Sequence, residues 1–122
     1  MNKRDTIIYR VATIIFGLML LAGGLSYFFN YEHVAGEFER LGVTTDLIYP
    51  LAVAKVLGVI AIWFIPNKVL KTAAYIGFYI NLISAVYVHI AAADGEFFGP
   101  IVPMLLLTVS YIYYRRSLKA AL

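Results

Sequence analysis

The chain has 122 residues, 62% hydrophobic and 14% charged, with a formal net charge of +3 and a mean hydropathy of +0.83. A water-soluble domain this small has too little interior to hide so much apolar side chain, so the composition excludes an ordinary soluble protein and points to a bilayer. With no cysteine, disulfides, thiolate metal sites, iron–sulfur clusters and CxxC redox chemistry are excluded as well.

Four apolar segments succeed one another, at roughly 7–29, 47–65, 72–93 and 97–114, each near the ~20 residues with which a helix crosses hydrocarbon. The first follows Met1, Asn2, Lys3 and Arg4. It is too long for a signal peptide and has no clear small-residue cleavage site, so it is expected to be a retained span. It carries Gly17, Gly23, Gly24 and Ser26, and Ala22 with Ser26 forms a small-xxx-small pair. Packing against a neighbouring helix through Gly23 and Gly24 is the expectation.

The connection to the second span is too long for a turn. Within it Val34, Phe38 and Leu41 recur at helical spacing while Glu37, Glu39 and Arg40 face elsewhere, which predicts a short amphipathic helix at about 32–41, lying on the outer surface. Gly42 is placed to end it, and Thr44, Thr45 or Asp46 to cap the next helix. The second span contains Lys55, the one charge well inside an apolar run, and a small-residue stripe at Ala54, Gly58 and Ala61. A tight turn is expected from Pro66 to Lys71. In the third span Ala73, Gly77, Asn81, Ala85 and His89 recur every fourth residue with Ser84 alongside, so one face is small and polar. Ala54, Gly58, Gly77 and Ala85 then let spans two and three approach closely. Pro100 and Pro103 stand near the start of the fourth span, where a missing N–H does least damage, with a kink at Pro103 as the alternative.

The lysines and arginines set the orientation. Lys3, Arg4, Arg10, Lys68, Lys71, Arg115, Arg116 and Lys119 flank one side, and the other carries Glu32, Glu37, Glu39, Asp46, Asp94 and Glu96 with Arg40. The basic side is expected in the cytoplasm. The same distribution leaves no basic stripe for nucleic acid. Tyr27, Tyr31, Tyr49, Phe97 and Phe98 are expected in an outer aromatic belt, and Tyr9, Trp63, Tyr113 and Tyr114 in an inner one. The whole reads as an all-α membrane protein: one membrane-embedded domain over 1–122, a four-transmembrane-helix bundle with both termini inside, and an amphipathic helix in the first outer loop.

An ammonium in hydrocarbon costs about 2.5–3.5 kcal/mol on insertion scales, so Lys55 needs water, a partner or a function. Because spans two and three run antiparallel, its level falls between Asn81 and His89. Lys55, Asn81, Ser84 and His89 form the candidate ligand-binding cluster. The competing reading makes Lys55 a snorkelling residue and Asn81, Ser84 and His89 interhelical hydrogen-bond groups worth ~0.6 kcal/mol each, with His89 bonded near Asp94. Tyr75, Tyr79 and Tyr87 either line a cavity for a flat ring or face lipid. No metal-ligand spacing is present, and His33, on the surface segment, makes a bis-histidine haem unsuitable.

The stretches Ala52-Val-Ala-Lys55-Val-Leu-Gly58, Pro66, Leu70 to Asn81, Ala85-Val-Tyr87-Val-His89 and Asp94-Gly95, with Ala22-Gly-Gly-Leu-Ser26 and Arg40-Leu-Gly42, resemble the DoxX-like family of small bacterial membrane proteins over roughly Tyr9 to Tyr114. The resemblance implies four membrane helices in a bacterial inner membrane and an association with quinone-linked complexes. The chain departs from the family pattern at Asn81, where an acidic residue is common; the departure removes the natural counter-ion of Lys55.

Three function classes follow. In the first, the chain is a subunit or accessory of a membrane complex, with a polar pocket around Lys55 that takes a quinone, a lipid or another polar-headed ligand; with no redox centre, cysteine or metal motif of its own, it is expected to work with a partner rather than as an enzyme alone. In the second it transports a neutral or anionic solute, since no carboxylate lies deep in a span for proton-coupled cation export. In the third it is a structural scaffold. Its partners are then the lipid bilayer, other complex subunits or further copies of itself.

Overall fold

A computed structural model describes residues 2–121. Among them the chain is helical, without strands: α1 (Lys3–Phe29), α2 (Tyr31–Leu41), α3 (Ile48–Phe64, preceded by a 3-10 turn at Thr45–Leu47), α4 (Lys68–Ala92) and α5 (Phe98–Ala121).

Local chemistry sets the helix ends. The Asn2 side chain accepts the Asp5 N–H at 2.8 Å and places an acidic residue in the first turn of α1, where the dipole favours it. Asn67 caps α4 in the same way, accepting the Leu70 N–H at 3.0 Å. The turn after α3 is therefore shorter than the span from Pro66 to Lys71 read from sequence. It comprises Ile65–Asn67, and Lys68 and Lys71 belong to the first turn of α4. The apolar run marks the hydrocarbon and the cap marks the helix, so the two need not end together. At Gly42 the backbone turns left-handed, with φ of 75°, a conformation open to glycine without a Cβ penalty. The Val43 N–H then closes on the Phe38 carbonyl at 2.9 Å. The Thr44 hydroxyl accepts the Asp46 N–H at 3.3 Å. Pro103 lies buried inside α5, where the carbonyl it leaves unbonded is that of Gly99 in the first turn.

Among the described residues three helical stretches are long and apolar enough to cross a bilayer: Lys3–Phe29, Thr45–Phe64 and Lys68–Ala92. α5 has the length, but Pro100, Pro103, three tyrosines and its basic end dilute its apolarity. α1 packs against α3 and α5, and α4 packs against the same two from the other side. Their inward faces follow helical spacing. Ala12, Phe16, Leu20 and Gly24 are buried on α1, Tyr75, Phe78 and Leu82 on α4, and Leu107, Ser110 and Tyr114 on α5. Phe16 meets Phe78 edge to face at 5.0 Å in the centre. The outward faces are no less apolar: Leu18, Leu57, Ile80, Ile83 and Leu105 are each more than half exposed. A surface of that kind is stable against lipid and not against water.

Two glycines leave room for a ring that a Cβ would obstruct. A Cβ on Gly17 would run into the Trp63 ring, so glycine lets the indole lie flat on α1, where its N–H donates to the Thr13 carbonyl at 3.0 Å. A Cβ on Gly58 would stand 2.6 Å from the Phe78 ring. The buried hydroxyls pair with one another. Ser110 Oγ lies 2.6 Å from Thr13 Oγ1 and 2.7 Å from the Tyr75 hydroxyl, which joins α1, α4 and α5. Tyr79 and Thr108 pair at 2.7 Å. Tyr114, expected in an aromatic belt, is 5% exposed and stacks on Tyr75 at 5.5 Å.

Candidate functional site

α3 and α4 leave between them a cavity of about 900 Å³. Its walls are the small faces of both helices, Ala54 and Gly58 on one and Gly77 and Ala85 on the other. Those faces were expected to bring the helix backbones together. Gly58 does touch α4, through the Phe78 ring, but a Cβ on Gly77 would meet nothing within 4 Å. The Phe78 ring fills the space over Gly58, and at Gly77 the missing side chain becomes volume. Leu57, Ile60 and Ile80 line the rim and are exposed, so the cavity opens sideways between α3 and α4, toward lipid.

Lys55, Asn81, Ser84 and His89 all line this cavity. Lys55 stands seven residues into α3, ~10 Å along the helix at 1.5 Å per residue. α1 positions its side chain at two points. A Cβ on Gly24 would lie 3.3 Å from the Lys55 Cβ, so the stem rests directly on the α1 backbone. One turn later, the Lys55 ammonium donates to the Tyr27 hydroxyl at 2.9 Å and lies 4.1 Å from the centre of that ring. Helical side chains lean toward the helix N-terminus, and the ammonium accordingly reaches back toward the mouth of the bundle near the end of α1. A phenol oxygen and a ring face stabilise a cation without neutralising it. Among the described residues no carboxylate lies within 4 Å of the ammonium.

Neither the Asn81 amide nor the Ser84 hydroxyl has a side-chain or backbone partner in the protein among the described residues. Both remain free to bond a guest. His89 stands at the junction of the cavity with a polar lattice at the same end. Its Nδ1–H donates to Asp94 at 2.7 Å, which leaves Nε2 as the ring's second nitrogen. Arg40, on α2, donates to the same Asp94 at 3.0 Å and to Glu96 at 3.4 Å, and holds Glu37 one helical turn away at 2.5 Å. The Asp94 carboxyl is held down at about 2, chiefly by the Glu96 backbone N–H and then by His89 and Arg40. Glu37 is held below the usual carboxylate range by its hydrogen bond to Arg40, whose own value is raised in return.

This lattice ties α2 to the α4–α5 loop, and Phe38 and Leu41 of α2 form part of the cavity wall. Phe38 meets Tyr27 edge to face at 5.7 Å. His89, Asp94 and Glu96 have ligand atoms within 4.8 Å of one another, but the Arg40 guanidinium already sits on both carboxylates and supplies the positive charge that a metal ion would bring. Tyr75, Tyr79 and Tyr87 do not line the cavity. Tyr75 and Tyr79 bond to α5, and Tyr87 is 71% exposed on the outside. Tyr27, which the sequence placed in an aromatic belt, is the cavity's phenol. It lies one turn beyond Gly24, a spacing visible in the sequence, but only the pairing of α1 with α3 shows which charge it meets.

The arrangement is an apolar slot with a hydrogen-bond donor set at one end. It suits a molecule with a hydrophobic body and a carbonyl-bearing head. A model described as the DoxX-like family matches residues 11–113. No curated protein and no solved structure matches the chain.

Proposed function

The chain belongs to the DoxX-like family and is an integral membrane protein, and we propose that it binds a quinone or a similar carbonyl-headed lipophilic molecule in the slot between α3 and α4, as a subunit or accessory of a membrane complex. The observation that carries this reading is the Lys55 ammonium, fixed by Tyr27 at 2.9 Å on the wall of a cavity of about 900 Å³. The charge has no counter-ion there among the described residues, and ordinary drug-sized sites fall within the same range of volume. A ligand carbonyl accepting from Lys55, with Asn81, Ser84 or His89 at its edge, gains from the low dielectric around it. The chain has no cysteine, and in this proposal electrons reach the bound molecule from a partner.

In the same proposal α5 is a fourth span, both termini are cytoplasmic, and the protein resides in the bacterial inner membrane. Phe98 to Tyr114 covers ~25 Å as a helix, and its outward residues Val102, Leu105 and Ile112 are exposed like those of the other spans. Eight of the ten lysines and arginines stand at the end where α1 begins and α5 finishes, which favours that end inside.

The test is mass spectrometry of small molecules that co-purify in mild detergent with wild type and with Lys55→Met. A lipophilic carbonyl compound held by wild type and lost from the folded variant is expected. Identical small-molecule content in the two would reduce Lys55 to a snorkelling residue and leave a scaffold.

A further inference from the structure

A second cavity, about 610 Å³, opens at the opposite end, where the chain termini lie, between α1, the last turn of α3 and the first turn of α4. Its lining divides sharply by chemistry. Arg10 and Lys71 stand in it with Trp63, and Ile14, Leu18 and Phe64 extend it along the outer face of the bundle. Those last three are exposed apolar residues on helices that face lipid. The charges are unbalanced. Arg4 and Arg116 share Asp5 at 3.9 and 3.8 Å, and Arg40 has three acidic partners. Arg10 and Lys71 have none among the described residues; the neighbour of Lys71 is the Tyr114 ring at 5.7 Å.

The groove is also built firmly. Trp63 is fixed on α1 by its bond to the Thr13 carbonyl at 3.0 Å, and Gly17 provides the space for its ring. Trp63 therefore forms a wall between the two cations and the interior, and leaves the apolar strip of Ile14 and Leu18 as the path leading away from them. Two cations at the water boundary above an apolar track match an anionic headgroup above an acyl chain.

We propose that this groove is a binding site for an anionic phospholipid, whose phosphate lies between Arg10 and Lys71 and whose chain lies along Ile14 and Leu18. The site is separate from the Lys55 slot and does not depend on its reading. A zwitterionic lipid carries the same phosphate together with an ammonium that the two cations repel, so selection by net charge follows. With each basic residue near the surface worth about 1 kcal/mol toward anionic lipid, the pair selects phosphatidylglycerol over phosphatidylcholine by roughly ten- to thirty-fold.

The experiment is native mass spectrometry of the full chain released from nanodiscs of equal phosphatidylglycerol and phosphatidylcholine. Wild type is expected to retain one phosphatidylglycerol with that preference, and Arg10→Gln/Lys71→Gln to lose it while remaining helical and monodisperse. Lys71→Arg, which keeps the charge, and Arg115→Gln/Arg116→Gln, which removes two charges at the same end outside the groove, are expected to retain it. Equal loss in the Arg115/Arg116 variant, or no loss in the Arg10/Lys71 variant, overturns the site in favour of general surface attraction. Displacement of the lipid by millimolar inorganic phosphate overturns the role of the acyl chain.

Discussion

Gly77→Leu and Gly58→Ala separate a slot from a packed seam. Both glycines lie on small-residue faces, and in a seam where the two helices close on each other each substitution overpacks, at about 1–3 kcal/mol. The structure distinguishes them. A Cβ on Gly77 meets nothing within 4 Å, and one on Gly58 stands 2.6 Å from the Phe78 ring, which is 4% exposed and has little room to move. Leucine at 77 regains most of the ~0.8–1.0 kcal/mol that glycine costs a helix interior, so Gly77→Leu is expected to be as stable as wild type or up to about 1 kcal/mol more stable. Alanine at 58 regains a similar amount against the overpacking, for a net loss of about 0.5–2 kcal/mol. Steric-trap or SDS-titration unfolding in bicelles measures both. The leucine also projects into the slot, so the stable Gly77→Leu protein is expected to co-purify without the ligand proposed for wild type. A Gly77→Leu destabilised by more than about 1 kcal/mol would refute the open slot.

Tyr27→Phe removes the oxygen that accepts from Lys55 at 2.9 Å and keeps the ring beneath the ammonium; hydrogen bonds to charged groups run about 1.5–3 kcal/mol, and the partly exposed setting brings the expected loss toward ~1 kcal/mol, read by the same unfolding assay, with weaker ligand retention. Ser110→Ala leaves the Tyr75 hydroxyl, on a residue 1% exposed, without its partner and is expected to cost about 1–3 kcal/mol. Adding Tyr75→Phe then costs less than the two single losses predict, so a double-mutant cycle additive within ~0.5 kcal/mol would show that the hydroxyls do not interact. The Asp94 carboxyl titrates near 2 in the folded protein against an ordinary 3.8. The unfolded chain therefore binds more protons in that window, and the contribution of Asp94 is complete above about pH 4 and lost as pH falls through about 2. Carbon-13 NMR of the Asp94 carboxyl checks this, and Arg40→Gln is expected to raise the midpoint part of the way toward 3.8, because the Glu96 N–H and His89 remain.

What could be read before the structure depended on periodicity. Asn81, Ala85 and His89 recur every fourth residue and Ser84 sits one position from that row, so their common face on α4 follows from helical geometry alone, and the level of Lys55 follows from an antiparallel neighbour. The volume between the helices does not follow. Small residues permit close approach without requiring it, and Phe78, whose ring lies over Gly58, looks in sequence like any other apolar residue. The cluster of Thr13, Ser110 and Tyr75 was equally hidden. Each is a single polar group in an apolar run, and only the relative rotation of three helices brings them within 2.7 Å. Tyr114 lay beside the basic end and resembled a belt residue, but the register of α5 turned it inward. The caps at Asn2 and Asn67 were present in the sequence as Asn ahead of a helical run, and they account for helices that extend beyond their hydrophobic stretches.

Photolabelling with a quinone that carries a photoreactive group on its ring tests the central claim most directly. Labelled peptides are expected to map to Tyr27, to Ala54–Gly58 and to Asn81–His89, with labelling reduced at least several-fold in Lys55→Met and unaffected in Arg10→Gln/Lys71→Gln. Labels spread over outward residues such as Leu18, Ile83 and Leu105, with the same pattern in Lys55→Met, would contradict a binding slot between α3 and α4.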